Sequence, residues 1–231
     1  MTKSSGPAWF IIAAILLVGL AIIGVFPKPP VLHILVIWVI SIGLIGGMIA
    51  SIGYSKTGRA SGIAIDARNR YSLSQAQMVF WTILVLATVY TIIIWNTGHP
   101  PSKDQPFLKV PNFLWALMGI SSISLVGSPL ILNNKPAGEL PAANGEPREA
   151  RLSDLVFGEE TGNQGTVDLA RVQMLLISII VGVSYSVLIA ARLGEEAGKG
   201  AIKGFPDMDG GLLALIAISH AGYLTYKTVK K

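Results

Sequence analysis

The 231-residue chain contains no cysteine, which excludes disulfides, thiolate nucleophiles and cysteine-ligated zinc. Charge is scarce too: 13% of residues are Asp, Glu, Lys or Arg, where soluble domains carry about a quarter. There are only three histidines, His33, His99 and His220, and no catalytic, metal-binding or nucleotide-binding motif. No cofactor is expected. Apolar residues fill the space left by charge, at 52% of the chain. A pI near 9.5 brings nucleic acid to mind, but the 18 Lys and Arg are scattered among short polar segments between long apolar runs, so no nucleic-acid partner is expected.

Six of those runs approach the roughly 20 apolar residues a helix needs to cross a bilayer: Ala8 to Phe26, Val31 to Ile52, Ser72 to Trp95, Asn112 to Leu132, Leu169 to Ala191 and Gly210 to Tyr226. The last is the shortest and among the richest in glycine. The first follows Lys3 as a signal peptide would, but it is long and no small-x-small site precedes Pro27-Lys28-Pro29-Pro30, so it reads as an uncleaved anchor turned back tightly by those prolines. The expected fold is all-α: a polytopic membrane bundle of six transmembrane helices. Counting Lys and Arg puts twelve on the side of the termini and six opposite, so both termini are expected in the cytoplasm.

Residues 72 to 132 and 168 to 226 repeat one another. Ser72-Leu73-Ser74-Gln75-Ala76-Gln77-Met78 aligns with Asp168-Leu169-Ala170-Arg171-Val172-Gln173-Met174 at an offset of 96. Leu114 to Ser121 aligns with Leu212 to Ser219 at an offset of 98. Each copy holds two spans, so the two hairpins should be parallel and packed about an axis along the membrane normal. The organisation is then an N-terminal transmembrane hairpin with its basic cytoplasmic loop (1–70), a first repeat hairpin (71–133), a cytoplasmic loop (134–167), and a second repeat hairpin with a basic tail (168–231).

At these two copies the chain resembles an uncharacterised group of bacterial multi-pass membrane proteins in which a Gln-Met helix and a Leu-x-Gly-Ile-Ser helix occur twice. The resemblance covers about residues 70 to 228. The second copy departs at Ala217, where the pattern has Gly, and at Leu176-Ile177, where the first copy has Trp81. It implies a duplicated membrane fold in a bacterial cytoplasmic (inner) membrane and carries over no functional residue.

The polar residues within the spans are the candidates for contacts. Ser72 and Asp168 stand where N-caps should, with Gln75 closing a capping box in the first copy. Gln77 and Gln173 fall one turn inside the membrane, where an unpaired amide is costly, and Ser121 and Ser219 are their expected partners. His220, near the middle of the last helix, is expected to be neutral and bonded to a carbonyl or serine, with a relay or gate as the sharper reading. Gly43, Gly46, Gly47 and Ala50, followed by Ser51, form a small-residue face for close helix packing inside the subunit or between subunits. The six interiors lack Asp, Glu and Lys altogether, which argues against an ion-coupled transporter.

The long loop, Asn133 to Val167, holds six acids against three bases. Its first half, rich in Pro, Ala, Gly and Asn, should be flexible. Leu152, Leu155, Val156 and Phe157 form a short apolar face after Pro147, expected on the membrane surface or on a partner. Glu159, Glu160, Asn163 and Asp168 supply oxygens suited to a hard cation but without EF-hand spacing, so a solvated turn leading to the Asp168 cap is expected instead. Four bases in the loop from Gly53 to Arg70 need no role beyond orientation, although they suit anionic headgroups. Together these features point to a non-enzymatic membrane subunit that anchors or scaffolds a larger assembly. Its partners would be the lipid bilayer and other membrane subunits or further copies of itself. The second reading is a homo-oligomeric channel lined by Gln77, Gln173, Ser121 and Ser219.

Overall fold

The computed structural model describes residues 11–19, 30–102, 108–133, 143–159, 165–208 and 210–228. Among these, all repeating structure is helical. Six helices are α1 (11–19), α2 (Pro30–Thr57), α3 (Leu73–Gly98), α4 (Asn112–Asn133), α5 (Leu169–Ala197) and α6 (Gly210–Thr228). Three of them, α2, α3 and α5, are long and apolar enough to cross a membrane. Each occupies one of the apolar runs, and α5 continues past its run to Ala197 because Arg192 and Glu196 pair one turn apart at 2.7 Å. The first proline turn and the first half of the long loop lie largely outside the described residues.

The N-caps form as expected. Ser72 Oγ accepts the Gln75 amide at 3.4 Å, and Asp168 Oδ1 accepts the amides of Ala170 and Arg171. The capping box does not form. The Ser72 amide donates to the Ala64 carbonyl, and the Gln75 carboxamide faces the carbonyls of Ile63 and Ile65 at 3.3 Å, the orientation in which its nitrogen donates to both. A tertiary turn has displaced the local motif.

Helix α3 packs on α2, α4 and α5, while α6 packs on α4 and α5. The main core gathers Trp38, Trp81, Trp95, Leu117, Tyr185 and Ile189 among these helices. At one end of the bundle the two connections meet. Trp95 Nε1 donates to Gly200 O at 2.8 Å, the Asn96 carboxamide exchanges two hydrogen bonds with the Ile202 backbone, and the Phe205 amide donates to Lys109 O. At the other end the loops before α3 and α5 meet the C-terminus of α6. Helices α3 and α5 therefore run in the same direction.

Several buried residues of α3 and α5, and of α4 and α6, stand at separations one residue larger than those of the sequence alignment. Buried Ser74, Gln77, Leu84, Val85, Thr88 and Ile92 on α3 answer to Arg171, Met174, Val181, Gly182, Tyr185 and Ile189 on α5, each 97 residues later. Likewise Leu117, Ser121 and Ser124 on α4 answer to Ile216, His220 and Tyr223 on α6, 99 residues later. One residue turns a helix by about 100°. This slip decides which polar side chains face inward.

Candidate functional site: a buried ion-pair cluster at one end of the bundle

Arg171 lies in the first turn of α5, at the start of its long apolar stretch, and its side chain is fully buried. A guanidinium so placed needs both a counter-charge and partners for its other hydrogens. The long loop supplies both. Nε donates to Leu155 O at 3.1 Å, Nη2 to Asp154 O at 2.6 Å, and Nη1 lies 2.7 Å from Glu159 Oε1.

Glu159, 7% exposed, is the hub of the cluster. Its Oε1 also meets Arg68 Nη2 at 3.0 Å. Its Oε2 pairs with Lys227 and accepts the Tyr223 hydroxyl at 3.2 Å. Three cations from three separate segments thus converge on one carboxylate, and Arg68 in turn carries Asp66 at 2.7 Å. Beside it, Asp154 accepts the amides of Tyr71 and Arg151 and faces Arg70 at 3.5 Å. Arg59 extends the contact by donating to Ala150 O at 2.9 Å, and Asn69 and Asn144 exchange side-chain-to-backbone hydrogen bonds. The basic loop, the second half of the acidic loop and the ends of α5 and α6 are therefore one packed unit.

The electrostatics follow from this geometry. Burial alone would push the Glu159 carboxyl up, but Arg171, Lys227 and Arg68 outweigh it and hold the group well below the usual carboxylate range. Burial alone would lower the Arg68 guanidinium, and Glu159 and Asp66 more than reverse that. A carboxyl depressed on folding stabilises the fold above its ordinary unfolded value of about 4.3 and loses that contribution as pH falls below it towards the folded value. The contribution of Glu159 to thermal stability in detergent should thus be level from pH 7 to about 5 and fall progressively below about 4.3. Glu159→Gln should flatten the part of this acid limb that Glu159 contributes. An unchanged limb in that variant would rule Glu159 out as its source.

This cluster was not legible as such. Arg171 reads in sequence as one more orientation charge, and Glu159 as part of a solvated turn. The solvated reading fails for Glu159 because three cations enclose it; Glu160 and Asn163 lie outside the described residues, and Asp168 is the cap. One signal was present: a charged residue one turn inside an apolar helix requires a partner, and the nearest acidic segment is the loop before it. The apolar face after Pro147 is also different from expectation. Residues Pro147–Glu149 and Leu152–Leu155 form two 3-10 turns, and Leu155 packs inward against Leu73, Met174 and Tyr223 because the Arg171 hydrogen bonds to residues 154 and 155 draw that turn onto the bundle.

The other sequence candidates are dispersed. Gln77 is buried and its Nε2 donates to Ser178 Oγ, not to Ser121 or Ser219, while Gln173 is exposed because the one-residue slip puts Met174 in the inward position. Ser121 and Ser219 are buried, and the Ser219 hydroxyl has no hydrogen-bond partner among the described residues. His220 Nδ1 and Ser124 Oγ are 2.6 Å apart, a serine partner as expected, though on the facing helix. Gly46 alone of the small face is directed at α3, towards Ile83. Among the described residues Gly43, Gly47 and Ala50 instead line an apolar cleft of about 380 Å³ shared with Ile12 and Leu16 of α1. Among the described residues, no three His, Cys, Asp or Glu side chains converge as a metal site would require. Comparison with known proteins finds no match: no family model, no curated protein and no solved structure is similar to this chain.

Proposed function

We propose that this chain is a non-enzymatic integral membrane subunit: a six-span bundle of two parallel repeat hairpins and an N-terminal hairpin, in a bacterial cytoplasmic membrane with both termini inside. In this reading it anchors or scaffolds other subunits through its cytoplasmic end. The observation that carries the reading is the Glu159 cluster. It turns two polar loops and a helix end into a fixed surface, as a docking platform requires and a mere connection does not. Support for the membrane part comes from α2, α3 and α5 and from the apolar side chains that α5 leaves exposed, among them Leu176, Ile180, Val183 and Val187. The gathering of residues 66–71, 154–159 and 227 at one end and of 95–96, 109 and 200–205 at the other is what an even number of crossings between loops requires.

The pore reading draws less support, because Gln77 Nε2 and His220 Nδ1 are bonded within the chain and Gln173 is exposed where Gln77 is buried. Purification of the full chain from its native membrane in mild detergent tests the proposal. Unrelated subunits at fixed stoichiometry are expected, and a closed ring of this chain alone would overturn the scaffold in favour of a pore. The chain's lack of cysteine makes labelling clean: a cysteine at Asn144 should react only from the cytoplasm and one at Ser102 only from outside. Labelling of both from one face would overturn the six-span topology.

A further inference from the structure

At the end of the bundle away from the Glu159 cluster, residues 109–111 and 203–207 meet the last turns of α5 around a polar cavity of about 480 Å³. Lys109, Arg192 and Lys203 line it, each from a different segment. The backbone that carries them is fixed. The Phe205 amide donates to Lys109 O at 3.3 Å, the Lys203 amide to Glu196 Oε2 at 2.8 Å, and the Tyr185 hydroxyl to Pro206 O at 3.1 Å. Gly204 lies at a φ of +140°, and a Cβ there would stand 2.3 Å from Lys109 O, so only glycine lets the two loops meet this closely. Arg192 shares its charge with Glu196 at 2.7 Å, whereas no described acid pairs with Lys109 or Lys203. Asp207 is the one acid in the lining, so the lining and Glu196 together hold three positive charges against two. In the six-span topology this is the side that the orientation rule depletes of bases, yet three of the six found there converge on one cavity.

We propose that this cavity binds a phosphate group, supplied either by the headgroup of an anionic phospholipid or by a phosphate in solution. The excess of one positive charge matches the single negative charge of a phosphodiester. Each lysine ammonium brings three donors and no acceptor, so the ligand must accept. A tetrahedral phosphate directs its oxygens to separate sides, which suits cations arriving from three segments; a carboxylate presents both oxygens from one edge. The pinned loops hold the charges in place before the ligand arrives, which lowers the ordering cost of binding. A lipid source rests on the membrane reading; the binding chemistry does not.

Titration calorimetry on the purified full chain in non-ionic detergent at low salt tests the proposal. The probes are dioctanoyl phosphatidylglycerol, dioctanoylglycerol as the same chains without phosphate, and inorganic phosphate. Phosphate-dependent binding is expected, and it should weaken as salt rises. Tighter binding of the phospholipid than of inorganic phosphate identifies the headgroup as the source, and the reverse identifies a solution phosphate. Lys109→Gln combined with Lys203→Gln should lower the affinity about tenfold, the worth of two partly exposed charges. Lys199→Gln, which removes an exposed lysine outside the lining, should leave it unchanged. Asp207→Asn should raise it, a change of sign that a damaged fold would not give. The proposal is overturned if inorganic phosphate does not bind and the phospholipid binds no better than dioctanoylglycerol. An affinity that survives in the double lysine variant, or that falls equally in Lys199→Gln, overturns it too. The co-purification outcome does not bear on these results, so the two proposals fail separately.

Discussion

Glu159→Gln is expected to destabilise the protein by about 3–5 kcal/mol, the cost of removing one partner from a buried ion-pair network. The substitution keeps the shape of the side chain, so the loss isolates charge from packing. Arg171 is fully buried, and its Nη1 would be left against a neutral amide; Arg68 and Lys227 would lose the same counter-ion. Stability should fall in thermal or denaturant unfolding followed in detergent. Because the cluster holds the segment from Pro147 to Glu159 against the bundle, that segment should also become susceptible to limited proteolysis at temperatures where the helices persist. A loss under about 1 kcal/mol is what a hydrated surface network would give, and it would contradict a buried cluster.

The second large effect is expected at Gly62→Ala. After α2 ends, the turn Ala60–Ala64 folds back on the helix so closely that backbone touches backbone. A Cβ at Gly62 would lie 1.8 Å from Thr57 Oγ1 and 2.4 Å from Gly53 O. The threonine hydroxyl can rotate away, but the Gly53 carbonyl is fixed in the helix. A Cβ at Gly53 meets the reverse contact, 2.7 Å from the Ile63 nitrogen and 2.9 Å from Ala60 O. Each substitution should cost at least the 1–3 kcal/mol of an overpacked core, and the double variant should cost less than the sum because both disrupt one contact. Gly43→Ala and Gly47→Ala, with nothing within 4 Å of the added carbon, provide the control on the same helix. They should be neutral or slightly stabilising, since alanine favours a helix by up to about 1 kcal/mol over glycine. Unfolding midpoints of the five variants decide the matter; a Gly62→Ala protein as stable as Gly43→Ala would show that the turn does not pack on α2.

These glycines show what the chain does and does not disclose. In the sequence Gly43, Gly46 and Gly47 stand out by spacing, whereas Gly53 and Gly62 have no pattern between them. Spacing along one helix is a local property. The contact between Gly53 and Gly62 depends on the path of the chain after Thr57, which spacing does not encode.

The same division runs through the whole molecule. Long apolar runs with Arg171 as their one internal charge, each ended by polar or helix-breaking residues, determined that the chain is helical and where the helices lie, because hydrophobic length and capping act within a few turns of sequence. Ser72 and Asp168 were legible as caps for that reason. Rotation of each helix about its axis was decided only by tertiary structure. Arg171 must reach Glu159 and the carbonyls of residues 154 and 155, and turning it inward carries Met174 to the position that Gln77 holds in the first hairpin and leaves Gln173 outside. The loop charges were countable from the start, but their pairing was not. Arg68, Glu159, Arg171 and Lys227 are spread over 160 residues, and only the packing of the helix ends removes the water that would otherwise keep them apart.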